Sequence, residues 1–128
     1  MELNEFDFEV KISCDIYPTE DKEKLVQCVS NVFPKTQWEL GEESITGNSR
    51  YLTRFKTILE DMQIRDTARS YLKDKTAGNE CSFSLSKQAT CQAKVNFSDE
   101  ERALGEVEVK IICENIEELI EDLTETEE

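Results

Sequence analysis

The chain contains no histidine. That absence excludes a Ser/His/Asp triad, a Cys/His dyad and any histidine-ligated zinc site. Four glycines are too few for a phosphate-cradling loop. No apolar run approaches the about 20 residues that span a bilayer. The opening Met1-Glu2-Leu3-Asn4-Glu5 is acidic where a signal peptide is basic, so a cytoplasmic location is expected. The five cysteines are an odd number, and no two stand at the spacing of a zinc knuckle or a thioredoxin-like motif. What remains is a chain of 128 residues, 38% hydrophobic and 34% charged, with 29 acidic against 15 basic side chains and a net charge of −14. Its length fits one domain with an ordinary core. Its charge opposes unaided binding to a polyanion or an anionic membrane.

Hydrophobic periodicity divides the chain into strands and helices. Phe6 to Ile16 alternates strictly, with Phe6, Phe8, Val10, Ile12, Cys14 and Ile16 on one face, which predicts a half-buried strand. Thr19 is then the expected N-cap of a helix running to about Phe33, with Leu25, Val26, Val29, Val32 and Phe33 as its stripe and Pro34 at its end. Thr36 to Thr46 reads as a loose hairpin. Asn48-Ser49 is expected to cap a second helix carrying Tyr51, Leu52, Phe55, Ile58, Leu59 and Met62. Ile64, Ala68, Tyr71 and Leu72 continue that period to about Lys75, across a bend or a break at Asp61–Gln63.

Beyond Gly78-Asn79 the period returns to two. Cys81, Phe83 and Leu85, then Cys91, Ala93, Val95 and Phe97, predict a β-hairpin with Ser86-Lys87-Gln88 at its tip. Ser98 to Glu101 resembles a capping box for a single turn that Gly105 ends. Val107, Val109, Ile111 and Cys113 form a last strand. Asn115 and Glu118 make a second capping box for a terminal helix bearing Ile116, Leu119, Ile120 and Leu123. The expected architecture is a single α+β domain over residues 1–124, with helices on one face of a mostly antiparallel sheet, followed by an acidic tail, 125–128, that frays. The cysteines, lying on or beside apolar faces, are expected to be buried thiols. A disulfide between strand cysteines is the alternative, of weight in a hyperthermophile.

Charge is distributed unevenly. From Arg50 to Lys94 there are nine basic residues against five acidic, a net of +4, while the rest of the chain carries −18. Arg50 and Arg54 are four apart, as are Arg65 and Arg69, so each pair is expected on one helix face. Lys87 and Gln88 at a hairpin tip would reach phosphate oxygens or base edges. Against this stands the ordinary reading of a charge-laced helical surface neutralised by Glu60, Asp61 and Asp66, with a solubilising lysine in a turn. Tyr17, Trp38, Tyr51 and Tyr71 lie on or beside apolar positions and are read as core or half-buried rather than as base-stacking platforms. The acidic pairs have no spacing that marks a general acid/base pair or a carboxylate magnesium site, so no catalytic residue, metal or cofactor is expected.

Several strings together, Tyr17-Pro18-Thr19-Glu20-Asp21, Asn31-Val32-Phe33-Pro34, Asp66-Thr67-Ala68-Arg69, Leu85-Ser86-Lys87-Gln88-Ala89, Lys94-Val95-Asn96-Phe97 and Leu104-Gly105-Glu106-Val107-Glu108-Val109, give the chain a resemblance. In order and spacing it resembles a small uncharacterised archaeal protein family described as an RNA-binding domain or predicted exosome subunit. The resemblance spans nearly the whole chain. It implies a fold similar to that of the large-subunit ribosomal protein that holds 5S RNA. It puts weight on Arg69, Lys87, Gln88, Lys94 and Asn96, while Met62-Gln63 and Ser86 depart from the family's usual residues. The expectation is a non-catalytic RNA-binding protein, associated with RNA processing or the exosome, that uses Arg50, Arg54, Arg65, Arg69, Lys87, Gln88, Lys94 and Asn96. The alternative is an acidic interaction subunit that binds a basic protein without contacting RNA. The sequence does not fix the oligomeric state, a homodimer included.

Overall fold

The computed structural model describes residues 3–97 and 106–125, without the side chain of Asn4. After a 3-10 turn at Leu3–Glu5 come strand β1 (Phe8–Asp15), helix α1 (Lys22–Ser30), β2 (Thr36–Leu40), β3 (Ser44–Ser49), α2 (Thr53–Asp61), α3 (Arg65–Asp74), β4 (Thr76–Ala77), β5 (Glu80–Leu85), α4 (Lys87–Cys91), β6 (Val107–Cys113) and α5 (Ile116–Leu123). The strands make one antiparallel sheet in the order β2-β3-β1-β6-β5-β4. The domain is therefore α+β, as the alternating strands require.

Register follows the period-two pattern. Val10 and Ile12 of β1 stand opposite Ile111 and Val109 of β6, so the buried sets of neighbouring strands share a face. That face is covered by helices. Phe33 after α1, Phe55 of α2 and Phe83 of β5 stack in series, with centroids 5.7 and 5.8 Å apart, and tie the helical layer to the sheet. Leu119, Ile120 and Leu123 of α5 are also fully buried. The other sheet face is open, and Glu39, Glu80 and Glu108 are exposed on it. At the sheet edge Trp38 faces Gly47, where a Cβ would lie 2.8 Å from the indole ring; only glycine leaves room for it. The indole N–H donates to Ser30 Oγ at 3.3 Å, joining β2 to the end of α1.

Several expectations need correction. The N-cap of α1 is Asp21, not Thr19: its Oδ1 accepts from the amides of Glu23 (2.9 Å) and Lys24 (3.5 Å), and a carboxylate suits the positive helix end. Asn48 and Ser49 do not cap α2. They pair with Lys11 and Val10 in β3, and the Ser49 hydroxyl donates to Lys35 O while accepting from the Tyr51 amide. Arg50 is thus outside α2 and does not share a helix face with Arg54. The break at Asp61–Gln63 separates two helices, with Gln63 in the left-handed region at φ 57°. Asn115 occupies the N-cap of α5, but its side chain makes no capping hydrogen bond.

The largest correction concerns residues 86–97. The return strand of the predicted hairpin does not form; α4 takes its place. Ser86 caps α4, accepting the Ala89 amide at 3.3 Å, and Lys87-Gln88-Ala89 are strong helix formers. Of the hairpin only a bridge between Leu85 and Phe97 and the Ser86 N–H donation to Asn96 O remain. Cys91 is accordingly not a strand thiol. It is exposed and forms a disulfide with the buried Cys28 of α1, so two helical cysteines are bonded rather than two strand cysteines. Cys14, Cys81 and Cys113 are buried free thiols. The expected turn at Ser98–Gly105 and the residues 126–128 of the acidic tail lie outside the described residues. Among the described residues no helix is long and apolar enough to cross a membrane.

Candidate nucleic-acid interface

The structure separates the eight residues singled out above into groups with different surroundings. Arg65 and Arg69 share a face of α3, as their spacing implies, but that face meets the end of α5. Arg69 Nε donates to Thr124 Oγ1 at 3.1 Å and its Nη2 to Thr124 O at 2.7 Å, while Arg65 Nη1 donates to Glu125 O at 3.2 Å. Cations placed there satisfy carbonyls that a helix end leaves unpaired and oppose its negative dipole end. Glu121 completes the cluster between Arg69, at 3.7 Å, and Lys73. The hydrogen bond from Lys73 holds the Glu121 carboxyl below its ordinary range. Lys56 pairs in the same way with the buried Asp122 at 3.4 Å.

Lys87 is not at a hairpin tip. Its side chain is only 11% exposed, and its ammonium donates to Asp15 O at 2.7 Å and Glu20 Oε1 at 3.0 Å, with the Tyr17 ring centroid 4.6 Å away. It pins the start of α4 to the end of β1. Arg50 is exposed between β3 and α2, and Arg54 is half-buried in the first turn of α2.

Gln88, Lys94 and Asn96 do converge. All three are exposed and line one cavity of about 570 Å³ between the α2–α3 junction and the segment from Ser86 to Phe97. That volume is in the range of small-ligand sites. One wall is α4 and the turn after it, where Ala93 adopts φ 55° and the Lys94 amide returns to Ala89 O at 2.9 Å. The opposite wall carries Met62 and Thr67, and the Val95 amide donates to Met62 Sδ at 3.4 Å. Tyr71 and Phe97 stack at 4.5 Å between centroids and also line the cavity, and Phe97 sits edge-on to Phe83. Gln92 adds a third amide to those of Gln88 and Asn96.

No carboxylate occurs among the described residues lining this cavity, in a chain with 29 acidic side chains. By contrast, the cavity on the open sheet face includes Glu108, those beside α5 include Glu118 and Glu121, and the one near the end of β1 includes Glu20, Glu42 and Glu43. Three amides can each donate and accept hydrogen bonds and Lys94 supplies a cation, while the Tyr71 ring is occupied by Phe97 and by the Lys75 ammonium 5.3 Å from its centroid. Gln92 and Phe97 were not among the candidate site residues read from sequence, and Tyr71 is half-buried, as its place beside the apolar stripe implies. The four-residue interval between Gln88 and Gln92 was the available signal, since it places both on one side of a helical turn.

The sequence profile of a family described as RNA binding matches residues 9–114 of the chain. A UPF0201 protein of Methanothermobacter thermautotrophicus is 36% identical over 115 residues, covering 88% of this chain and 87% of the relative. A UPF0200/UPF0201 protein of Archaeoglobus fulgidus is 34% identical over 109 residues, 84% of this chain; the chain spans about a third of that longer relative. The crystal structure of a UPF0201 protein from Methanococcus jannaschii superimposes with a TM-score of 0.83 at 31% identity, covering 91% of this chain and 98% of that one. The chain therefore belongs to the archaeal UPF0201 family, and the profile that matches it carries the description RNA binding.

Proposed function

We propose that the protein binds RNA, without catalysing a reaction on it, through the cavity lined by Gln88, Gln92, Lys94 and Asn96. The observation that carries this reading is the absence of carboxylates from the described lining of that cavity in a chain of net charge −14. A polyanion approaching most of this molecule meets repulsion, and here it meets a lysine and three amides. Amides that donate and accept at fixed positions suit the base edges of unpaired nucleotides. The family description supports the ligand class. Participation in RNA processing, in association with an exosome-type assembly, is the finer part of the proposal and rests on the resemblance of the sequence strings.

Absence of turnover belongs to the same reading. The chain has no histidine, and its free cysteines are buried. Burial pushes the Cys14 thiol up to about 11, out of reach of thiolate chemistry at neutral pH.

The test is titration of the full chain with single-stranded and hairpin RNA oligonucleotides over a range of salt. Affinity is expected to fall with salt, and Lys94→Ala is expected to reduce the logarithmic slope by about 0.7 for a single strand. The double change Gln88→Ala, Gln92→Ala is expected to weaken binding with little change in that slope. RNA retention that none of these variants alters would sink the assignment of the cavity. The exposed Glu39, Glu80 and Glu108 on the open sheet face, which also carries Lys11 and the Lys110 paired with Glu80, are behind a second reading, a mixed, mainly acidic surface for a basic protein partner. Capture of such a partner with no RNA bound at low salt would put that reading in its place.

A further inference from the structure

The wall of the cavity that carries Gln88 and Gln92 is a helix of five residues, too short to hold its own shape in water. Its position depends on what ties it down. At its start the Lys87 ammonium reaches Asp15 O and Glu20. At its end Asn31 Nδ2 donates to Thr90 O at 3.1 Å, and Cys91 is covalently bonded to Cys28 of α1. The disulfide is asymmetric in its surroundings: Cys28 is 6% exposed, whereas Cys91 is exposed. The residue after Cys91 is Gln92, and two residues further on is Lys94, both in the cavity lining.

We propose that the Cys28–Cys91 disulfide is a redox latch on α4, opened by a low-molecular-weight thiol or a protein dithiol, and that its opening loosens the cavity and weakens RNA binding. This rests on the RNA-binding reading for its functional consequence, but not for the latch itself. The exchange is balanced. A reductant thiolate attacks the exposed Cys91 sulfur, the bond to Cys28 breaks, and Cys28 leaves as a thiolate that takes a proton. A second thiol, on the same dithiol or on another monothiol molecule, then attacks the mixed disulfide and releases Cys91. Two electrons and two protons pass from the two reductant thiols, which become a disulfide, to the two cysteines. The ties at Lys87 and Thr90 and the packing of α4 on α1 around the buried Thr90 remain. The site is then less pre-organised, and part of its binding energy goes to ordering the wall.

The experiment compares oxidised full-length protein, the same protein reduced with dithiothreitol under native conditions, and the double variant Cys28→Ser, Cys91→Ser. Alkylation followed by mass measurement counts the thiols opened. Amide hydrogen exchange is read for residues 87–94 against β1 and β6, and affinity is read for a single-stranded RNA oligonucleotide. The expected result is acceleration of exchange at 87–94 at least about tenfold greater than any acceleration in β1 and β6, and RNA affinity lower by roughly three- to tenfold in both the reduced protein and the double variant. Unchanged exchange at 87–94 on reduction would overturn the latch. So would equal acceleration at 87–94 and in β1 and β6, because α4 would then open only together with the whole fold. Local loosening with unaltered RNA affinity would overturn its link to the site. Failure of the oxidised protein to bind RNA would count against the RNA-binding reading alone, since exchange still decides whether α4 is latched.

Discussion

Two regions of this molecule use positive charge in opposite ways. Where α2 and α3 meet α5, Lys56, Arg65, Arg69 and Lys73 are all engaged with Glu121, Asp122 or the carbonyls of Thr124 and Glu125. Around the cavity beside α4, one lysine stands among amides and rings with no described carboxylate near it. The first region has more cations, and they are used internally. In a strongly acidic chain, a cluster of basic residues marks where acidic elements are neutralised. A surface open to a polyanion is marked instead by missing negative charge.

The largest expected effect breaks the cavity side alone. Cys28→Ser with Cys91→Ser removes a link across 63 positions and is expected to lower unfolding stability by about 2–5 kcal/mol, read from urea midpoints. A loss below about 1 kcal/mol would mean that Asn31 and Lys87 carry the seat of α4 by themselves.

An alkaline sensitivity belongs to the same side. Cys14, near the Lys87 clamp, has its thiol raised by burial from 9.0 to about 11, partly offset by Lys87. The folded state therefore disfavours the thiolate. Its contribution is fully present below about pH 9 and is lost as pH rises toward 11, at most about 2–3 kcal/mol. Stability measured across that window should fall less steeply in Cys14→Ala than in the parent chain.

At the α5 edge, Arg69→Ala is expected to cost about 1–2 kcal/mol, discounted because the side chain is one-third exposed. RNA affinity should stay within about twofold, because the guanidinium already serves Thr124. A tenfold loss of affinity with stability intact would invert the comparison between the two regions. The smallest expected effect sharpens it: Lys94→Ala, on an exposed position, should change stability by less than about 0.5 kcal/mol while still reducing salt-dependent binding.

The sheet was legible because its strands alternate. β1 and β6 carry unbroken period-two patterns, and both form with the expected face buried. Residues 91–97 carry the same parity yet do not form a strand. Alternation over four positions competes there with a serine cap, three helix-forming residues and a disulfide to a helix 63 residues away. The period alone contains none of that information. The site was legible in part. Gln88, Lys94 and Asn96 were singled out and do share a cavity, while Lys87, adjacent in sequence, points into a clamp with Asp15 and Glu20. Which of two neighbours faces solvent was set by α4, the element that sequence periodicity misread. Arg65 and Arg69 were rightly placed on one face, but spacing within a helix says nothing of what packs against it.

The contact between Trp38 and Ser30 has a practical consequence. The chain has a single tryptophan, and its indole is bonded two residues beyond Cys28 at the end of α1. Excited at the red edge of the absorption band, where tyrosine is dark, that one fluorophore reports on the helix to which the latch is fastened. Any displacement of α1 when the disulfide opens is therefore visible optically in the unlabelled protein, in real time, whereas loosening confined to α4 leaves the signal unchanged, and Ser30→Ala provides the control in which the reporter is uncoupled from α1.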